Sequence, residues 1–559
     1  MTIKPGRTVL RKVGGGAAAL GLLLAGPATA QLATNIAVDV RAMSMAHAVT
    51  ADPPGIMAIH FNPAGLGKLR GRRMDLQFLG VDFGINSEFT APPDYNVFGF
   101  SDDPVVCADA PDDGADFCRE FRTGKSTVEG VSLYIPILND AVDLPPGPLI
   151  AGPIPSFAIR PPGSKFTFAT ATYLPMAAGL YRSDDDPGNF MGRRMALERI
   201  TYLSPSVGFQ ATDTLYLGAS VGLSYQAVML ETDFRAPNEL TGFARILDES
   251  VCAPFKGESN IALDLILFGI CRPEEGLGPF KNLASLEVAM DQRLSPSYNL
   301  GVLWEPNDNF AWGAVWHSEA KVSMSGDFTV NYSNATEQTI NGIGGSATGA
   351  IALAVLGIPS SVGSSETGLI SMNLTMPAHF QTGIKIRPTE RWQFNVDAVW
   401  VDYDEWDAFN FSFNKATAVT ALARLFSPGS TPTKLRFPLE FESTWNLAFG
   451  VQYDLTGRLQ LRGGYEPRAS AIPTDRRNPM VPINEARYYS LGLGYKWDKD
   501  TDIDLAIATM QSKDNIPAGT STMANAPGIG NIVYNPYAGL DIKTETTINM
   551  IGLAFRTAF

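Results

Sequence analysis

The chain has 559 residues, with 43 Lys and Arg against 57 Asp and Glu, a formal charge of −14, four cysteines and neutral mean hydropathy. Acidity of this size argues against nucleic-acid partners, whose phosphates call for a basic surface. No apolar run after residue 30 is long and clean enough for a membrane helix, so a place in a membrane would have to be taken by strands.

The first 30 residues read as a secretory leader. Lys4, Arg7, Arg11 and Lys12 precede a small apolar run from Val13 to Gly26, and Ala28-Thr29-Ala30 supplies small residues for cleavage before Gln31. Its loss removes four basic residues and leaves a formal charge near −18. Residues 31–73 carry small and apolar side chains without strand alternation and contain Phe61-Asn62-Pro63-Ala64-Gly65-Leu66. Such a segment ahead of a closed barrel is expected to fold back into the lumen.

From residue 74 to the end, alternation dominates. Trp392, Phe394, Val396, Ala398 and Trp400 alternate with Gln393, Asn395 and Asp397, and Leu439 to Tyr453 and Leu215 to Tyr225 behave alike. One face meets lipid and the other the lumen. Fourteen strands are expected, at 74–89, 153–161, 164–174, 198–210, 213–230, 286–303, 309–323, 373–387, 391–403, 438–454, 457–467, 486–497, 501–511 and 541–558. Short turns such as Pro161-Pro162-Gly163 and Leu455-Thr456-Gly457 alternate with long connections, at 90–152, 175–197, 231–285, 324–372, 404–437, 468–485 and 512–540. Short periplasmic turns opposite long extracellular loops are the barrel habit. The final strand ends on Phe559, an aromatic terminus that agrees. The expected fold is an all-β, 14-stranded antiparallel transmembrane barrel with an N-terminal plug, in the bacterial outer membrane. A two-sheet sandwich shares the period, but loop asymmetry disfavours it.

All four cysteines fall in expected outside loops. Sequence proximity is the only ground for pairing Cys107 with Cys118 and Cys252 with Cys271. No histidine lies near either pair, so a metal site is not expected. Two loop stretches are strongly apolar, Ile261 to Ile270 with Leu263, Leu267 and Phe268, and Ile351 to Ile358 with Leu353 and Leu356. They are expected to pack together as a lid, and the same surface would serve as a landing groove for a greasy ligand.

Two enzyme-like spacings lack their context. Gly218-Ala219-Ser220-Val221-Gly222 has the spacing of a hydrolase elbow but lies within an alternating strand. Gly124-Lys125-Ser126-Thr127 resembles the end of a phosphate loop, with Arg119 where the leading glycine belongs. Neither a catalyst nor a cofactor is expected. A diffusion porin and an outer-membrane esterase or protease remain as alternative readings.

The ordered set Asn62-Pro63-Ala64, Met376-Pro377-Ala378, Asp397-Ala398-Val399-Trp400 with Trp406, Leu461 to Tyr465, Pro473, Pro482 and Tyr489 to Tyr495 resembles the FadL/TodX (OmpP1) family of outer-membrane transporters of long-chain fatty acids or aromatic hydrocarbons. The resemblance implies a monomeric barrel, set in lipid and lipopolysaccharide, whose residues 31–73 form a hatch. It further implies passive uptake of a hydrophobic small molecule. Ligand would enter a groove in 231–285 and 324–372, reach an internal apolar pocket and leave sideways at a kinked third strand, 164–174, ending Tyr173-Leu174-Pro175. The proline-rich Ala51 to His60 and the acidic stretch Asp109 to Asp116 depart from the family pattern. Arg462 is a candidate lumen charge.

Overall fold

The computed structural model describes residues 36, 38–92, 123–135, 140–144, 149–235, 282–427, 429–481, 484–526 and 535–559. The strands are β1 (Gly71–Thr90), β2 (Leu149–Arg160), β3 (Phe166–Ala171 and Tyr173–Tyr181), β4 (Arg194–Leu203 and Ser206–Gln210), β5 (Leu215–Arg235), β6 (Asn282–Asn307) and β7 (Phe310–His317 and Ala320–Tyr332). They continue as β8 (Ser365–Met376 and His379–Ile386), β9 (Trp392–Val401 and Ala408–Phe413), β10 (Lys434–Pro438 and Thr444–Asp454), β11 (Leu459–Arg468), β12 (Ala486–Lys496), β13 (Thr501–Ile516) and β14 (Asp541–Ala558). Neighbours pair antiparallel, and β1 closes on β14 from Arg73↔Ala558 to Thr90↔Asp541. Closure removes the free edges of an open sheet and satisfies the backbone within hydrocarbon everywhere but at a gap between β2 and β3.

The periplasmic half shows the expected polarity. Trp304, Trp312, Trp316, Trp392, Phe394, Trp445 and Phe449 are exposed on the outside, while Gln393, Asn395, Asp397 and Asn446 are buried inside. This is a multi-pass barrel of the bacterial outer-membrane type. In the extracellular half the polarity inverts. Ser323, Ser325 and Asp327 of β7 and Ser371 and Asn373 of β8 face out, while Val322, Met324, Phe328, Ile370, Met372 and Leu374 are buried inside.

That inversion explains where the expected boundaries fall short. Apolar-out alternation marks only the lipid-facing stretch, yet the strands go on pairing above it. β7 extends to Tyr332, β8 begins at Ser365, β6 begins at Asn282 and β3 extends to Tyr181. The supposed loop 404–437 holds part of β9, the helix Ala418–Phe426 and the start of β10. Residues 71–73, assigned to the hatch, already pair in the wall, with Gly71↔Arg160 and Arg73↔Ala558. The apolar stretch at 351–358 is largely helix, Ala347–Leu356, which ends at Gly357 with φ +70°. No disulfide occurs among the described residues, and Cys107, Cys118, Cys252 and Cys271 all lie outside them, so the two expected bridges have no counterpart there.

Candidate functional site

Residues 38–69 lie within the ring, built from short helices: α1 (Val40–Ser44), α2 (Ala58–Phe61) and 3-10 turns at Gly55–Met57 and Pro63–Lys68. Short helices in a wet lumen are marginal alone, so the wall must hold them. It does so through ion pairs and hydrogen bonds: Asp39 pairs with Arg556 (2.9 Å) and Lys68 with Glu305 (2.8 Å), His47 hydrogen-bonds Glu466 (3.1 Å), and Arg41 and Asp52 (2.5 Å) tie the segment to itself. Burial alone would raise the Asp52 carboxyl, but Arg41, then Lys385 and Lys68, outweigh it and hold it well below the usual carboxylate range.

Asn62, Pro63 and Ala64 are fully seated. The Asn62 amide donates to the carbonyls of Thr50 (2.9 Å) and Val302 (3.0 Å), and its oxygen accepts from the Ala64 N–H (3.2 Å). Pro63 at the first helical position loses no needed donor. The tripeptide is therefore a structural tether between segment and wall. We expect Asn62→Ala to leave two carbonyls short of a donor at about 1–3 kcal/mol each. Hydrogen exchange across 38–69 should quicken in that variant while the strands stay protected, and unchanged exchange would remove Asn62 from this role.

Above the tether the interior changes character. His60, Tyr173, Arg199, Thr201, Asn299, His317 and His379 line one side of an internal cavity, and Met176, Met376, Val401, Tyr403 and Trp406 the other; its volume is about 80 Å³. The apolar side belongs to one continuous cluster that rises through Met372, Phe328, Phe411 and Leu435 to Leu353 on the loop helix. On the polar side His317 and His379 stack at 3.8 Å and His60 stands 5.4 Å from His317. Burial, then His379 and Arg199, hold His60 down to about 3, so its ring is neutral. The described residues contain no cluster suited to a metal ion.

Arg199 is the unusual member. Among the described residues it makes no ion pair, and its buried Nε has no hydrogen-bond partner. The residue is half-buried, and guanidinium groups withdrawn from water are ordinarily paired. Arg462, the charge anticipated for the lumen, is by contrast saturated by Asp504 (2.5 Å), Gln452 (3.0 Å) and Gln460 (2.7 Å).

Beside the cavity the wall is incomplete. β2 and β3 pair only from Ser156↔Ala171 to Ile159↔Phe168, and among the described residues none joins 149–154 to 173–181. The Thr172 N–H reaches the Pro155 carbonyl at 3.3 Å, so the Pro155 nitrogen, on the same side of its strand, meets β3 with no hydrogen to donate. Pro153 removes another donor beside a bulge in β2, and Pro175 lies where β3 slips register against β4, between Tyr173 and Met176. Leu174 and Ala151, one from each of these unpaired stretches, pack against the buried cluster that contains Ile154. Tyr173, Leu174 and Pro175 thus lie on the stretch of β3 that does not pair with β2.

The other expected site residues divide. Leu353 is buried in the apolar cluster, while Leu356 is exposed at the end of its helix. Leu263, Leu267 and Phe268 lie outside the described residues. Ser220 donates to the Ile59 carbonyl (3.1 Å) from mid-strand, with none of the turn an elbow requires. Lys125 and Ser126 sit in a short strand, Thr123–Thr127, paired with β1, which is no phosphate loop.

Residues 23–559 match the family model described as "Outer membrane protein transport protein (OMPP1/FadL/TodX)". A long-chain fatty acid transport protein of Escherichia coli O6:H1 is 23% identical over 218 residues, 39% of this chain and 42% of that protein. A 47 kDa outer membrane protein of Pasteurella multocida is 23% identical over 244 residues, so the chain spans less than half the length of these two relatives. The crystal structure of a Pseudomonas aeruginosa FadL homologue superposes with TM-score 0.63 at 16% identity, covering 96% of this chain and all of that one. The Ralstonia pickettii toluene transporter TbuX gives 0.53 at 15% identity, covering 93% and 97%.

Proposed function

The chain belongs to the OMPP1/FadL/TodX family of outer membrane transport proteins, and from that premise we propose that it carries long-chain hydrophobic carboxylates passively across the outer membrane. It is a carrier, not an enzyme. The observation that carries the reading is Arg199, a cation with no ion pair among the described residues, at the foot of an apolar interior. A fatty acid would set its carboxylate on Arg199, with Asn299 and Thr201 as further polar partners, and its tail among Met176, Met376 and Trp406. A cavity of about 80 Å³ holds a few waters and is far below the ~300 Å³ of small-ligand sites, so the tail must displace side chains. Unbranched methionines repack at low cost, and Met176, Met290, Met324, Met372 and Met376 line this core.

The two halves of the barrel suggest the route. The extracellular half has an apolar interior open to greasy cargo, with 231–285 and 324–372 as the landing region. Residues 31–73, less the three that pair in the wall, act as the hatch that bars the axis below. Cargo stopped at the hatch stands beside the window at Tyr173-Leu174-Pro175, which offers sideways release into hydrocarbon. Each contact must be weak enough to reverse, since nothing drives the flux but the gradient.

The purified protein in detergent is expected to bind labelled oleate saturably and in preference to toluene. Equal binding of the two, or none of oleate, overturns the carboxylate reading. A general porin is disfavoured by the ion pairs that fill the lower lumen, and bilayer recordings should show no large steady current.

A further inference from the structure

The first extracellular loop has no part in this route, yet its described residues frame the window. Thr123–Thr127 pairs with the upper end of β1, from Thr90↔Thr123 to Asn86↔Thr127. Three residues on, Gly130 bridges to Tyr181 of β3, with Tyr181 N–H to the Gly130 carbonyl at 3.2 Å and Glu129 N–H to the Tyr181 carbonyl at 2.9 Å. The loop therefore closes the wall again above the gap, so the gap is bounded on all four sides.

Next in the chain, Val131–Ile135 pairs antiparallel with Asp140–Leu144 as a hairpin. Parity places this hairpin on the outside. Arg199 and Met176 face the cavity, and Gln226, opposite Arg199 in the register, reaches the cavity residue Met376. Their neighbours Glu198 and Ala227 must point outward, and that is where the hairpin packs: Tyr134 lies on Ala196, Ala227 and Met229. The Glu198 carboxylate accepts the Tyr134 N–H at 2.9 Å, and Arg194 meets Asp143 at 2.5 Å. A Cβ on Gly179 of β3 would come within 1.7 Å of the Ser132 carbonyl oxygen, so only glycine admits the hairpin there. Glu198, only 4% exposed although it sits on an outer face, is a carboxylate that the hairpin covers.

We propose that the hairpin Val131–Leu144 is an external brace: it holds the upper frame of the window against β3 and β4 and keeps water out of the opening. Its purpose rests on the sideways-release reading, but the seal itself does not. The probe is Leu174→Cys, placed in the window, and labelling by a membrane-impermeant maleimide in detergent-solubilised or reconstituted protein, scored above the parent with its four native cysteines. Two variants loosen the brace. Gly179→Val pushes a branched side chain into the Ser132 carbonyl while leaving the lumen face untouched. Replacing residues 131–144 by a short Gly-Ser linker removes the brace altogether. Barrel formation is checked by heat-modifiable migration. We expect the thiol introduced by Leu174→Cys to label at least several-fold faster when Gly179→Val is added, and in the linker variant where it folds. Labelling at an unchanged rate in a folded Gly179→Val protein overturns the proposal, whatever the linker variant does. No cargo enters this assay, so its failure stands apart from any failure of the uptake reading.

Discussion

Arg199→Met should weaken oleate binding by about 10- to 100-fold while leaving a neutral hydrocarbon of similar length almost unaffected. The magnitude follows from the worth of a hydrogen bond to a charged group, about 1.5–3 kcal/mol. Methionine keeps length and apolar volume, so the loss reports charge rather than a hole. In the free protein the exchange costs nothing in ion pairs, because among the described residues Arg199 makes none. It should even stabilise the barrel slightly, since an unpaired cation half-withdrawn from water is an expense. Stability rising as carboxylate affinity falls distinguishes a ligand-binding arginine from a structural one. A pH series adds a second test. In the parent, affinity should be full while the fatty acid is ionised and fall as pH drops through the carboxylic range near pH 4.3. In Arg199→Met the curve should be flat or rise as the acid becomes neutral. Equal affinities of the two proteins for oleate at neutral pH would leave the cavity without a head-group partner, and the cargo would then be an uncharged hydrocarbon.

Why Arg199 escapes a reading of the sequence is a matter of parity. In the lower part of β4, Gly208 faces the N-terminal segment, where a Cβ would lie 2.4 Å from the Gly67 nitrogen. Counting upward by twos from Gly208 sends the even positions inward and would set Arg199 in lipid. The register slips between the pairs Leu223↔Leu203 and Ser224↔Thr201, and above it the odd residues Thr201 and Arg199 face in. Tyr202 and Leu203 are both exposed at this step. Alternation itself is a robust signal, because every residue of a lipid-facing stretch must obey it, and so the fourteen strands are legible. Bulges and breaks span only one or two residues, and between Tyr173 and Met176, between Thr201 and Leu203, at Ser318-Glu319 and at Pro377-Ala378 they set which face a side chain takes. The upward extension of the strands was hidden for a related reason. With Ser323 and Asp327 outside and Val322 and Phe328 inside, the upper part of β7 is patterned as the reverse of its lower part. The Asn62-Pro63-Ala64 tether was legible from resemblance, and its seat in the wall was not, because that seat consists of glycines with no pattern of their own.

That seat yields the second large effect: Gly218→Val should dislodge the N-terminal segment and turn a closed barrel into a conducting one. Gly218 and Gly301 face each other across β5 and β6. A Cβ on Gly218 would stand 2.0 Å from the Pro63 carbonyl carbon, one on Gly301 2.1 Å from the Asn62 Oδ1, and one on Gly313 of β7 2.3 Å from the Thr50 carbonyl oxygen. At Gly218 the obstacle is backbone on both sides. The wall is locked by strand pairing, so the segment has to move, and a flexible side-chain tip is not there to absorb the insult. Overpacking normally costs about 1–3 kcal/mol, but here it falls on the residues that tie the segment down. With the tether displaced, the ion pairs that remain, such as Asp39 with Arg556, compete with water entering a fourteen-stranded bore, where such pairs weaken. Single-channel recordings should show steady steps in Gly218→Val and almost none in the parent, with the region around residues 38–69 newly open to added protease. Gly463→Val is the matched control, since a Cβ there meets nothing closer than 3.7 Å. If Gly218→Val folds, stays silent and keeps its N-terminal segment protected, then the close approach at Gly218 is not what holds the segment in place; if the segment is released and the barrel still stays silent, the lumen is barred by something other than residues 38–69.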